Sequence, residues 1–469
     1  MPDHIVETGA RAVPLHAITK NAQESWLSGQ DAHTRAWLRA AAFTAEAGAV
    51  CLVPDSNGEV AAVVAGLGAG DDPWVFAQIA ARLPAGRYQL AGTLGDMAPG
   101  AVALAWELAS YRFRRYKSAG ASEAEADAKI WPDLVRPDGV DPAAVGRKAR
   151  AVALVRDLIN TPASDMGPAE LVDAAEAVAT RFDAGLRVIV GEGLLAENYP
   201  AIYAVGQGAA PNRQPRLIDM VWGDPKAPRL TLVGKGVCFD TGGLDLKPSS
   251  NMKLMKKDMG GAAHVLGLAS MVMDAALPVR LRVLIPAVEN SVSGAAMRPL
   301  DVLKTRKGMT VEVGNTDAEG RLILADALWE AAREQPALLV DFATLTGAAR
   351  VALGPDVPVL FTPDDDLARD LSLAGDNHGE PVWRLPLYRP YRRMLDSTVA
   401  DIANISSSPY GGAITAALFL AEFVPAGIPW AHFDILAWNA SARLGRPEGG
   451  EAMALGAVFE VITRRFITL

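Results

Sequence analysis

The sequence predicts an α/β protein in two parts: a smaller N-terminal α/β domain, and a larger C-terminal domain with a mixed, largely parallel central sheet between helices. Three observations carry that expectation. The chain has 469 residues, enough for two substantial cores. A proline and aspartate cluster from Trp131-Pro132-Asp133 to Asp141-Pro142 reads as a linker. Beyond it, apolar runs at Leu230 to Val233, Leu281 to Ile285, Ala337 to Phe342 and Trp430 to Leu436 alternate with alanine-rich helical stretches, the pattern of a sheet layered between helices. The expected boundaries are 1–130 for the small domain, 131–160 for the linker and interdomain helix, and 161–469 for the large domain.

Taken in order, Met1 to Glu7 lacks a basic start and an apolar core, so no signal peptide is expected. Trp37 to Ala47 reads as helix, and Val50 to Val64 as a hairpin turned at Ser56-Asn57-Gly58. Val102 to Tyr116 reads as a second helix whose polar end is the basic patch Tyr111 to Lys117. Pro142 to Asn160 reads as one helix joining the domains. A 50% hydrophobic composition excludes wholesale disorder, and two cysteines, Cys51 and Cys238, give no disulfide framework. No apolar stretch approaches the roughly 20 residues of a membrane span. A net charge of −9 argues against a broad nucleic-acid surface. The expected setting is cytoplasmic.

Chemistry concentrates in two segments. Asn315-Thr316-Asp317-Ala318-Glu319-Gly320-Arg321 places two carboxylates and a guanidinium at i, i+2 and i+4 where an extended run ends, so alternate side chains converge on one patch. Hard oxygen ligands beside a fixed cation suit a metal site that also handles an anion, although a solvated turn before a helix has the same composition. The second segment, from Val233 to Ala263, sets Lys235, Asp240, Lys247 and Asp258 among glycines just after the run Leu230 to Val233, at the carboxyl end where open α/β sheets bind ligands. Gly242-Gly243 and Gly260-Gly261 allow close backbone approach. No GxxxxGK[ST] spacing is present.

Together these segments resemble the leucyl (cytosol) aminopeptidases, dinuclear-metal exopeptidases marked by the NTDAEGR heptad. The resemblance runs from Asn160-Thr161-Pro162 through VGQG at Val205 to Gly208, VGKG, FDTGG, KKDMGG, NSVSGAAMRPLDVL, NTDAEGRL, ATLTGA and YGGAITAALFL. It implies that Lys235, Asp240, Asp258, Asp317 and Glu319 hold two divalent ions, Mn2+ or Zn2+, with Asp240 and Glu319 bridging. It also implies that Lys247 and Arg321 are the catalytic pair, Arg321 anchoring a bicarbonate that shuttles protons and Lys247 polarising the scissile carbonyl. Met255, Thr344, Leu345 and Gly347 align with the apolar pocket for the first side chain. The segment Ala442 to Met453 departs from the best-known members. A homohexamer acting on peptides is implied as well.

Elementary chemistry agrees with that ligand set. Converging carboxylates repel unless cations sit among them, and a metal-ligating lysine must fall far below the roughly 10.4 of a free ammonium, which a divalent ion accomplishes. Two ions sharing a water can acidify it and clamp a carbonyl, giving hydrolysis without a protein nucleophile. Rival machinery is missing. The six histidines form no HExxH or HxH pattern, and no GxSxG elbow occurs. His264, close to the second segment, is expected to be a packed helix residue, and Cys238 a small hydrophobe. The competing class is a non-catalytic assembly or DNA-binding descendant of the fold; retention of all seven motif residues weighs against it.

Overall fold

The computed structural model describes residues 3–7, 11–92, 94–95, 97–118 and 129–467. Two compact units emerge: Met1–Ala153 with Ser441–Glu448, and Leu154–Ala440 with Gly449–Leu469. The helix Pro142–Asn160 forms over the span the sequence predicts and runs through the point of division.

The first unit is a six-stranded sheet of β1 (Ile5–Val6), β2 (Val13–Ile18), β3 (Val50–Pro54), β4 (Val60–Gly66), β5 (Arg87–Ala91) and β6 (Asp133–Val135), in the order β1-β6-β5-β2-β4-β3. All its pairs are parallel except the β3/β4 hairpin. That hairpin turns where expected, because the Asp55 carboxylate accepts from Asn57 N and Glu59 N while Gly58 takes φ +84°. Three local expectations shift. The first of the two predicted helices is Ala32–Ala40, started by the Asp31 side chain accepting from Thr34 N, so the stretch after Ala40 leaves the helix. The second is Pro99–Leu108, with Pro99 in its first turn. It stops short of the basic patch because the Arg112 guanidinium donates to Ala109 O and Tyr111 O and lies over the Trp131 ring. Within the expected linker, Asp133–Val135 forms β6 and pairs with both β1 and β5.

The second unit is built on nine strands: β7 (Gly185–Val190), β8 (Arg216–Trp222), β9 (Arg229–Gly234), β10 (Gly236–Asp240), β11 (Arg280–Asn290), β14 (Leu338–Ala343), β15 (Val359–Phe361), β16 (Trp383–Arg384) and β18 (Trp430–Asp434). A side sheet joins β12 (Val302–Lys304), β13 (Thr310–Glu312) and β17 (Ile402–Ala403). The large sheet runs β16-β15-β18-β14-β9-β11-β8-β7, with β10 on β11. Pairs β18/β14, β14/β9, β9/β11, β10/β11 and β15/β16 are parallel, whereas β8 meets β7 and β11, and β15 meets β18, antiparallel. The mixed, largely parallel sheet is thus as predicted, and all four apolar runs become its central strands. β11 and β14 are buried over nearly their whole length because helices such as Gly260–Asp274 and Glu319–Arg333 pack on them. Between β14 and β18, His432 Nδ1 lies 2.6 Å from Asp341 Oδ1, and Trp430 Nε1 donates to Asp341 Oδ2 at 2.7 Å; all three side chains are buried.

Candidate metal centre

The parallel strands β9, β14 and β18 end on one edge of the sheet, and the residues that follow or close them form one cavity of about 720 Å³. Lys235 follows β9, Asp240 closes β10, Thr344 follows β14 and Asp434 closes β18. Every residue proposed from the sequence lines this cavity: Lys235, Asp240, Lys247, Met255, Asp258, Asp317, Glu319, Arg321, Thr344, Leu345 and Gly347.

Convergence in the heptad arises differently from the extended zigzag expected. Asp317 sits in a turn and Glu319 is the first residue of the helix Glu319–Arg333. The turn is held by Asn404, whose Oδ1 accepts from Gly314 N and Asn315 N and whose Nδ2 donates to Asn315 O. It is tied to the glycine loop after β10 by Thr316, which donates from N to Asp245 Oδ2 and from Oγ1 to Gly242 O. Two glycines are required by close approach: a Cβ on Gly320 would lie 2.5 Å from Lys235 Cε, and one on Gly261 2.1 Å from Phe342 O.

One carboxylate oxygen from each of Asp240, Asp317 and Glu319 can be grouped within 4.8 Å of the others. Lys235 Nζ stands 2.7 Å from Asp258 Oδ2 and 2.9 Å from Glu319 Oε1, and donates to Thr344 O at 3.1 Å. Lys247 Nζ stands 2.9 Å from Asp240 Oδ2 and bonds Asp317 Oδ1. Asn290 Nδ2 donates to Asp240 Oδ1 at 2.8 Å, and Thr344 Oγ1 to Asp258 Oδ1 at 2.8 Å. Asp258 Oδ2 and Glu319 Oε1 are buried, and among the described residues the Lys235 ammonium is the one cation that meets them both. Buried carboxylate oxygens without donors are costly unless a cation coordinates them.

The electrostatics show the same strain. Burial, reinforced by Asp240, pushes the Glu319 carboxyl up to about 8 and that of Asp317 up to about 6. Burial works against the Lys235 and Lys247 ammonium groups, yet the surrounding carboxylates outweigh it and hold both well above the ordinary lysine value. In this arrangement the ammonium groups supply positive charge that divalent ions would supply instead. An all-oxygen set with one amine fits such ions, and an ion beside Lys235 would reverse the pressure that keeps its proton on.

Arg321 projects from the first turn of its helix, donates to Asn404 O at 2.8 Å and leaves a buried Nε without a partner among the described residues. Burial draws it down to about 10, so it stays charged at neutral pH. Arg321 pairs with neither acid further along its helix: Asp326 accepts from three backbone N–H groups, and Glu330 bonds Arg282, Arg306 and Arg333. His264 is a fully buried helix residue, as expected, with Nδ1 2.6 Å from Gly260 O and Nε2 accepting from Met453 N. Burial pulls it down to about 4. Cys238 is buried and its thiol pushed up by burial. Sequence reasoning passed over Asn290, Asp434 and Lys257. The first two end strands β11 and β18, so the strand-end rule that found Asp240 could have found them, and Lys257 stands inside the KKDMGG motif itself.

Residues 153–459 match the cytosol aminopeptidase family, catalytic domain, and residues 13–127 match the N-terminal domain described for the same aminopeptidases. A protein of Roseiflexus castenholzii named probable cytosol aminopeptidase is 43% identical over 365 residues, 76% of this chain and 74% of its own. The crystal structure of a cytosol aminopeptidase from Coxiella burnetii is similar with a TM-score of 0.91 at 47% identity, covering 98% of both chains. The bottromycin maturation enzyme in complex with Mn is similar at a TM-score of 0.84 and 36% identity, covering 97% of this chain and 100% of that one. The two family matches span both units, and the Coxiella likeness extends over nearly the whole length: this chain belongs to the cytosol aminopeptidase family, enzymes that hydrolyse peptide bonds.

Proposed function

We propose that this chain removes the N-terminal residue from peptides with two divalent ions, Mn2+ or Zn2+, held by Lys235, Asp240, Asp258, Asp317 and Glu319. The observation that carries the reading is the convergence of Asp240, Asp317 and Glu319, one carboxylate oxygen of each within 4.8 Å of the others, with Asp258 and Glu319 meeting at Lys235. When bound, such ions acidify a water and polarise a carbonyl. The protein's own groups then do the rest. Lys247, held beside Asp240 and Asp317, would be free to donate to the oxygen that gains charge in the transition state where cations take up those carboxylates. Arg321 would hold a small anion such as bicarbonate at its Nε, where the anion would supply a proton carrier beside the leaving amine. Met255, Thr344, Leu345 and Gly347 border the space for the first side chain.

The acidic cluster suits a free terminal amine rather than a blocked one. A peptide that is hydrolysed should therefore resist cleavage once N-acetylated, and a chelator should abolish turnover that Mn2+ restores. Rapid hydrolysis of the acetylated peptide, or full activity in chelator, would overturn the proposal. We further place the enzyme in the cytoplasm as a homohexamer, in line with the family resemblance; light scattering on the purified protein reads the subunit number directly.

A further inference from the structure

The cavity is not lined by apolar groups and metal candidates alone. Lys257 is 6% exposed and contributes to its wall, yet no residue among those described hydrogen-bonds its ammonium. Its nearest carboxylate oxygen, Asp258 Oδ1, is 3.9 Å away and already takes the Thr344 hydroxyl at 2.8 Å. The other carboxylate acting on Lys257, Asp434, is also occupied. Its Oδ1 accepts from Leu345 N and Thr346 N, and its Oδ2 from Thr346 Oγ1.

A second cation acts on the same region. Arg350 lines the cavity and is exposed. A Cβ placed on Gly347 would meet nothing nearer than Arg350 Nη2, at 3.9 Å, so the wall at Gly347 is open toward the guanidinium. Lys257 and Arg350 sense each other's charge across this part of the cavity. An ammonium on a lysine this enclosed, with no acceptor among the described residues and little water beyond the cavity, is best partnered by an anionic oxygen delivered by a ligand. Because Met255, Thr344 and Gly347 border the same space, that oxygen would belong to the substrate's first side chain.

We propose that Lys257, with Arg350 at the rim, forms an anion-reading end to the first side-chain pocket, so that the enzyme accepts peptides beginning with glutamate or aspartate. This rests on the aminopeptidase reading, and the test separates the two. With Mn2+-loaded enzyme at neutral pH, kcat/KM is measured for Leu-Ala-Ala, Glu-Ala-Ala and Gln-Ala-Ala; failure on all three speaks against the aminopeptidase reading. The inference is carried by the ratio of glutamate to glutamine peptide, which compares near-isosteres differing in charge. The wild type should favour glutamate, and Lys257→Met should lower that ratio by at least about tenfold, the usual effect of losing one charge-assisted hydrogen bond. Lys257→Arg should restore part of it. A merely structural Lys257 would depress both substrates alike.

Binding supplies a second measurement that needs no turnover. Titration calorimetry of the Mn2+-loaded protein with free glutamate and free glutamine should show tighter glutamate binding in the wild type and equal binding in Lys257→Met. A wild type that prefers glutamine in either measurement, or a ratio unchanged by Lys257→Met, would overturn the inference.

Discussion

Asp326 offers a test of how the helix that carries Glu319 and Arg321 is fixed. Its fully buried carboxylate accepts from Ala201 N at 2.8 Å and Ile202 N at 3.2 Å through Oδ2, and from Arg306 N at 2.7 Å through Oδ1. It thereby caps the helix Pro200–Gly206 from a distant part of the chain. Asp326→Ala leaves three backbone donors without an acceptor, each costing about 1–3 kcal/mol, so a loss on the order of 3–6 kcal/mol is expected after partial relaxation. Burial also pushes this carboxyl from 3.8 up to about 7. Because the folded carboxyl titrates above the unfolded one, the folded chain holds an extra proton between those values, and the wild type loses stability as pH rises through that window at up to about 1.4 kcal/mol per pH unit. The alanine variant has no such group. Its deficit should therefore be larger near about pH 5.5 than near about pH 7, by at most roughly 2 kcal/mol. Urea unfolding of both proteins at the two pH values, followed by circular dichroism, measures this. A deficit under about 1 kcal/mol would refute the capping role, and one that grows with pH would refute the raised titration.

Three further outcomes bear on the site. Asp317→Asn and Glu319→Gln should lower bound Mn2+, read by mass spectrometry, and cut activity by more than the roughly 10–100-fold expected from losing an outer-shell partner. Normal metal content with normal turnover in both would sink the assignment. Arg321→Ala should reduce kcat by roughly 10²–10³-fold with metal content intact, and bicarbonate should stimulate it less than the wild type. Gly320→Ala drives a methyl to 2.5 Å from Lys235 Cε and should depress activity while circular dichroism stays unchanged; full activity would show that the lysine can move aside.

The large sheet and the charged part of the cavity lining were legible because each rests on a local signal. Apolar runs marked β9, β11, β14 and β18, and glycines flanked Asp240 and Asp258 beyond the first of them. The boundary of the first helix was not, since Asp31 as a cap decides its start and the alanines up to Ala47 merely permit helix. The strand β6 was hidden in a proline-rich stretch because its three residues are ordered by pairing with β1 and β5 rather than by their own pattern. Lys257 could be read as a lysine beside an aspartate, but its lack of a partner is a property of packing that no spacing encodes.

The parallel pairing of β9 with both β11 and β14 has a consequence for how the enzyme comes into being. Lys235 reaches Asp258, Glu319 and Thr344 only after strands from widely separated stretches of chain have closed side by side, and such long-range pairing is slow to form. A chain still emerging from the ribosome, ending before β14, carries the acidic residues but not the edge that gathers them. The cluster around Lys235 is therefore a property of the closed sheet and of no single stretch of the chain.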